Sequence, residues 1–113
     1  MNYTERLLVR QEEVGRPVRV ALVGAGQMGQ GLAAQITRMA GVHLSVVADV
    51  DPARAETAFG QDGVENVLVD TGAVPFETIR DAVDGGRPVA LRGAESVPVL
   101  PVDVVVDATG VPD

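Results

Sequence analysis

Two rhythms of apolar and polar positions alternate along this chain. One is a short apolar run and the other a helical stripe. Val18-Arg19-Val20-Ala21-Leu22-Val23 is a run broken only by Arg19. Such a run predicts a strand buried on both faces, as in a parallel sheet. Gln27 to Ala40 then carries Met28, Leu32, Gln35, Ile36 and Met39 at helical spacing, with Gly41 as its stop. Val42 to Val50 predicts the second strand. Asp51-Pro52 opens a short helix through Phe59, with Asp51 as N-cap and Pro52 in the first turn. Gly60 to Gly63 is a break. Val64 to Asp70 is ambiguous, with Val67-Leu68-Val69 a candidate short strand. Thr71 or Ala73 leads into a helix from Pro75 to Asp84, striped by Phe76, Ile79, Ala82 and Val83 and stopped at Gly85-Gly86. Pro88 to Leu91 predicts a short strand. Ala94 to Pro101, with two prolines, fits no element. Val102 to Ala108, fully apolar at Val104-Val105-Val106, predicts another buried strand.

Ahead of the first strand, Tyr3, Leu7, Leu8, Gln11 and Val14 predict a helix over residues 3 to 14. Asn2 and Glu5 form its possible capping box, and Gly15 and Pro17 end it. It would lie on the domain's own edge or serve a partner or second copy. Strands alternating with helices imply right-handed crossovers and an α/β fold with a doubly wound parallel sheet, order 3-2-1-4 at its core. The division expected is a helix over residues 1–16 and a nucleotide-binding domain over 17–113. The end of the chain falls where the next helix of such a fold should begin, so the expectation is the front part of a larger protein.

Composition narrows the chemistry. The chain has 113 residues, of which 46% are hydrophobic, enough for one domain with a core. Net charge is -7, which disfavours a nucleic-acid partner. There is no cysteine, so disulfides and thiolate chemistry are excluded and a reducing cytoplasm is the expected compartment. No apolar run approaches a membrane span. All nine basic residues are arginine, so no lysine serves as base or Schiff-base former. His43, the one histidine, sits at the start of a strand and is assigned no role.

The informative chemistry is Gly24-Ala25-Gly26-Gln27-Met28-Gly29, between a strand and a helix. Gly24 permits the tight turn, Gly26 lets the backbone approach a pyrophosphate, and Gly29 lets the helix pack close. Phosphates would sit over the free N–H groups and positive dipole end of the helix. Asp49, twenty residues past Gly29 at the end of the second strand, is placed to accept from the adenosine ribose hydroxyls. A carboxylate there repels a 2′-phosphate and favours NAD, while Arg54 keeps NADP open. Ala108 ends the last strand, beside the first, and the Thr109 hydroxyl and Gly110 backbone that follow it would face the nicotinamide half. Asp107 is not assigned as a base. The candidate cofactor-binding set is Gly24, Ala25, Gly26, Gln27, Met28, Gly29, Asp49, Arg54, Ala108, Thr109 and Gly110. No catalytic or metal-binding residue is assigned.

On these residues the chain resembles the NAD(P)-binding Rossmann domain of homoserine-dehydrogenase-like oxidoreductases. The resemblance is carried by the leading helix, Arg19 to Gly29 and Val104-Val105-Val106-Asp107-Ala108-Thr109-Gly110. It is most similar to the bacterial subgroup with a later SAF domain, one branch of which is deoxyxylulose-phosphate-reductoisomerase-like. Val47-Ala48-Asp49-Val50-Asp51-Pro52 also resembles the glucose-fructose oxidoreductase and inositol dehydrogenase family. That family usually has Ala-Thr-Pro where this chain has Ala-Thr-Gly. The resemblance implies an enzyme that moves a hydride to or from a carbonyl or alcohol of a small polar metabolite. Its substrate contacts and catalytic groups would come from a later domain, so this chain alone would bind cofactor without turnover. The alternative is a non-catalytic nucleotide sensor.

Overall fold

The computed structural model describes residues 15–61 and 63–109. The helix expected over residues 3 to 14, and Gly110, lie outside them. Strands β1 (Val18–Val23), β2 (Val42–Asp49), β3 (Leu68–Val69), β4 (Val89–Arg92) and β5 (Val104–Asp107) alternate with helices α1 (Gln27–Thr37), α2 (Pro52–Gly60) and α3 (Phe76–Asp84). A single 3₁₀ turn, Val97–Val99, fills the proline-containing stretch before β5.

Among the described residues the strands form one sheet in the order β3-β4-β2-β1-β5, every pairing parallel. Leaving aside two-residue β3 at the edge, this is the expected 3-2-1-4 order. The chain moves from β1 to β2 and outward to β4, then returns to place β5 on the other side of β1. The switch point therefore lies between β1 and β5.

Both faces of the sheet are covered, which is why β1 and β2 are apolar on both. Val18, Val20, Leu22 and Leu44 pack with Ala33 and Ile36 of α1 and with Ala55, Ala58 and Phe59 of α2. Ala21, Val46, Ala48 and Leu91 pack on the opposite face with Ile79 and Val83 of α3 and with Val97 and Leu100. Phe59 is fully buried; such a side chain contributes about 1.5–3 kcal/mol by leaving water. Asp51 caps α2 as expected, accepting from the Ala53 N–H at 3.0 Å. Arg19, the one polar residue of β1, donates to the Asp84 carbonyl at 2.8 Å, at the C-terminal end of α3.

The register between β1 and β2 slips once. Val20 pairs with Leu44 but Ala21 pairs with Val46, leaving buried Ser45 without a partner position. The slip puts Leu44 on one face and Val46 on the other, so both apolar layers stay filled. No sequence rhythm announces it.

Three expectations need correction. First, α1 ends at Thr37, not Ala40, because its last turn tightens: Arg38 N–H reaches Gln35 O and Met39 N–H reaches Ile36 O. Second, Met28 is 44% exposed and Gln35 is also exposed; the buried stripe is Gly29, Ala33 and Ile36. The helix lies so close to the sheet that small residues face it. Third, β5 is not buried on both faces. Only β1 pairs with it among the described residues, and Val104 and Val105 are 44% and 51% exposed.

Among the described residues, no helix is long and apolar enough to cross a membrane.

Candidate functional site

The glycine turn leaves β1 at the carboxyl edge of the sheet. Gly24 has φ +100°, a conformation that side chains other than glycine rarely take. A Cβ there would also stand 3.1 Å from the Thr109 methyl and 3.2 Å from the Thr109 nitrogen. At Gly29 a Cβ would overlap the Gly24 carbonyl oxygen and lie 2.8 Å from its carbon. The turn and the first coil of α1 are thus in backbone contact. Gly26 differs. It is the N-cap of α1, with φ −72° and ψ −166°, which any residue adopts. The helix receives no side-chain cap, and its first turn carries no acid. Its N-terminal dipole is therefore not neutralised by the chain's own cap.

Asp49 arrives beside this turn from the end of β2. Its Oδ1 accepts the Ala25 N–H at 3.0 Å and its Oδ2 accepts the Asp51 N–H at 3.0 Å. A carboxylate offers about four acceptor positions. Two backbone donors orient it and leave others for hydroxyl groups.

A cavity of about 190 Å³ lies between Gly24 and Asp49, lined also by Val23, Ala48 and Val50, with Gly93 and Ala94 on one side and Thr109 on the other. Enclosed small-molecule pockets run about 300–1,000 Å³, so this cavity is smaller than one that would enclose a whole ligand. Gly93 is held at the floor, its N–H reaching the Asp49 carbonyl at 2.8 Å.

Thr109 meets the cavity in a specific way. Its hydroxyl and its N–H both donate to Asp107 Oδ1. The two donors hold the Asp107 carboxyl below its ordinary range, first through the Thr109 hydroxyl and then through the Thr109 backbone. Asp107 stays ionised and is a weak base. With its proton directed at Asp107, the Thr109 hydroxyl keeps its lone pairs for accepting.

The predicted residues therefore divide. Gly24, Asp49 and Thr109 line the cavity. Ala25 is buried and ties the turn to Asp49, and Ala108 is buried near Gly29, Cβ to would-be Cβ 4.0 Å. Gln27 and Met28 are exposed on the first turn of α1. Arg54 is exposed on the first turn of α2 and does not line the cavity. No family model matches the sequence, and no curated protein matches it.

Sequence reasoning missed Gly93 and Ala94. The rule that ligands bind at the carboxyl ends of parallel strands would have found them, had β4 been bounded one residue later. It also missed Gln30, whose amide bonds two carbonyls beside the glycine turn.

A larger groove of about 330 Å³ lies at the opposite ends of the strands, lined by Arg16, Arg19, His43, Asp84 and Gly86 among others. Its arginines are committed to the fold: Arg16 pairs with Asp103 at 2.7 Å and Arg19 with Asp84 at 3.4 Å. Burial, seconded by the nearby Arg19 charge, lowers the His43 pKa against a raising hydrogen bond to the Gly86 backbone. Size favours this groove, but the chemistry favours the smaller cavity. Among the described residues no cluster of three or more His, Asp or Glu could hold a metal ion.

Proposed function

We propose that this chain is the nicotinamide-dinucleotide-binding part of an oxidoreductase. The carrying observation is a cavity lined by Gly24 of the glycine turn and by Asp49, whose carboxylate is oriented by the Ala25 N–H, next in the chain to a helix N-terminus without a side-chain cap. The first-turn N–H groups of α1 would hold the pyrophosphate, with Gly26 leaving room for it. Asp49 would accept the adenosine ribose hydroxyls through its remaining lone pairs. Gly93 and Ala94 would wall the adenosine side, and Thr109 the side toward the nicotinamide. The bound cofactor supplies the hydride exchanged with a carbonyl or alcohol carbon of a small polar metabolite. This chain's residues bind and orient. Asp107, whose carboxyl the Thr109 hydroxyl and backbone hold low, is assigned no proton-transfer role in that exchange.

NAD is favoured over NADP. Asp49 presents negative charge where a 2′-phosphate would sit, and Arg54 is not among the residues around the cavity. The resemblance to homoserine-dehydrogenase-like enzymes supports the same reading, with substrate bound mainly by residues outside this chain.

A thermal-shift titration with NAD, NADH, NADP and NADPH tests the proposal. A ligand at a hundred times its Kd stabilises by about 2.7 kcal/mol, so NAD(H) should raise the melting temperature and NADP(H) less. Gly26→Val should abolish the shift. If none of the four moves the transition, the reading is wrong. Binding with no hydride transfer, in any longer protein that carries this chain, would favour the sensor.

A further inference from the structure

We propose that Gln30 is a positioning residue that aims the phosphate-binding turn and straps it to α2; this rests on the dinucleotide reading above. The Gln30 amide nitrogen donates to the Ala25 carbonyl at 3.0 Å and to the Arg54 carbonyl at 3.1 Å. Ala25 is held at its other end as well, its N–H on Asp49 Oδ1 at 3.0 Å. Side chains from β2 and α1 thus grip one buried residue from both sides.

The grip has a direction. A trans peptide is planar, so its C=O and N–H point opposite ways. Turning the Ala25 carbonyl toward Gln30 turns the Gly26 N–H away from Gln30. Gly26 is the N-cap, and its N–H is the next donor of the turn after those of Gly24 and Ala25, which are taken by the Ala48 carbonyl and Asp49. One side chain therefore sets the aim of the donor that meets the ligand.

The other half of the amide supports this role. Gln30 Oε1 is buried and has no hydrogen-bond partner. Burying a carbonyl oxygen unpaired is destabilising. Exchanging the two ends of the amide would put oxygen against two carbonyls, which is worse. The side chain is kept for its NH₂ alone. The second proton, on Arg54 O, fixes the first turn of α2 against the glycine turn.

The test uses the whole chain with Gln30→Met, which keeps length and removes the donor, and Gln30→Glu, which sets an acceptor against both carbonyls. NAD and ADP-ribose should weaken about tenfold in Gln30→Met, the scale of one lost hydrogen bond, and further in Gln30→Glu. Adenosine, which has the ribose but no phosphate, should bind within about twofold of wild type, since Asp49 is untouched. Amide exchange at Ala25 and Gly26 in the ligand-free protein should be faster in both variants. The proposal falls if Gln30→Met binds NAD as wild type does, if adenosine is lost in parallel with NAD, or if amide exchange is unchanged. Failure of the wild type to bind any dinucleotide would overturn the reading under Proposed function and this inference with it; normal wild-type binding with indifferent variants would overturn this inference alone.

Discussion

Gly29→Ala is the sharpest test of the close contact between α1 and the glycine turn. An added Cβ would lie 2.8 Å from the Gly24 carbonyl carbon and closer still to its oxygen. Ordinary carbon–carbon contact is about 3.5–4.0 Å, so α1 must retreat by about 1 Å. The obstructing atoms are backbone, so no rotamer change relieves the overlap. Overpacking of this kind costs about 1–3 kcal/mol, and the upper end applies. Alanine returns about 1 kcal/mol of helix propensity, leaving a net loss of about 2 kcal/mol. For a domain near this size that lowers the melting temperature by about 8–16 °C. Gly31→Ala is the control. It makes the same change in the same helix, with nothing within 4 Å of the new Cβ. It should gain about 0.5–1 kcal/mol. Thermal unfolding followed by circular dichroism reads both. If the two variants shift the transition the same way, the contact does not constrain the fold and the role given to Gly29 is wrong.

Two further outcomes follow from the titrating groups. His43 has a folded pKa below its ordinary 6.5, so the unfolded chain takes up a proton more readily. Its contribution is fully present above pH 6.5 and fades as pH falls through the folded value; urea midpoints at pH 8, 6 and 5 should decline, and Gln in place of His43 should flatten that slope. Thr109→Val keeps the methyl near Gly24 but removes the hydroxyl from Asp107, so carboxyl NMR should find the Asp107 midpoint moved up toward its ordinary 3.8; an unmoved midpoint would show that the hydroxyl does not set it.

Most of the sheet was legible because its central strands obey one local rule. β1 and β2 are covered on both faces, so their central positions are mostly apolar and the runs stand out. The glycine turn, Asp49 and the Asp51 cap were legible because each is a local signal with a fixed offset. What escaped depends on distance between elements. The slip at Ser45 is a property of a pair of strands and leaves no mark on either. Large apolar residues drew the α1 stripe toward Met28, while the buried line runs through Gly29 and Ala33, where proximity to the sheet excludes bulk. Val104 and Val105 look like core because valine prefers a strand wherever it lies; the topology is what shows that β5 is at an edge among the described residues. Gln30 was overlooked because its partners, Ala25 and Arg54, are five residues back and on another helix.

The three glycines of the turn have different guarantors. Gly24 is required by its φ and by Thr109, and Gly29 by the Gly24 carbonyl. Both demands are made by the polypeptide on itself. Gly26 sits in a conformation open to every amino acid. On the proposed reading, a lineage that stopped using a dinucleotide would still be held to Gly24 and Gly29 by folding alone, while drift would reach Gly26 first. In a set of diverging descendants, the middle glycine is therefore the one whose loss would record a change of occupation, and the outer two would persist as a fossil of the corner they build.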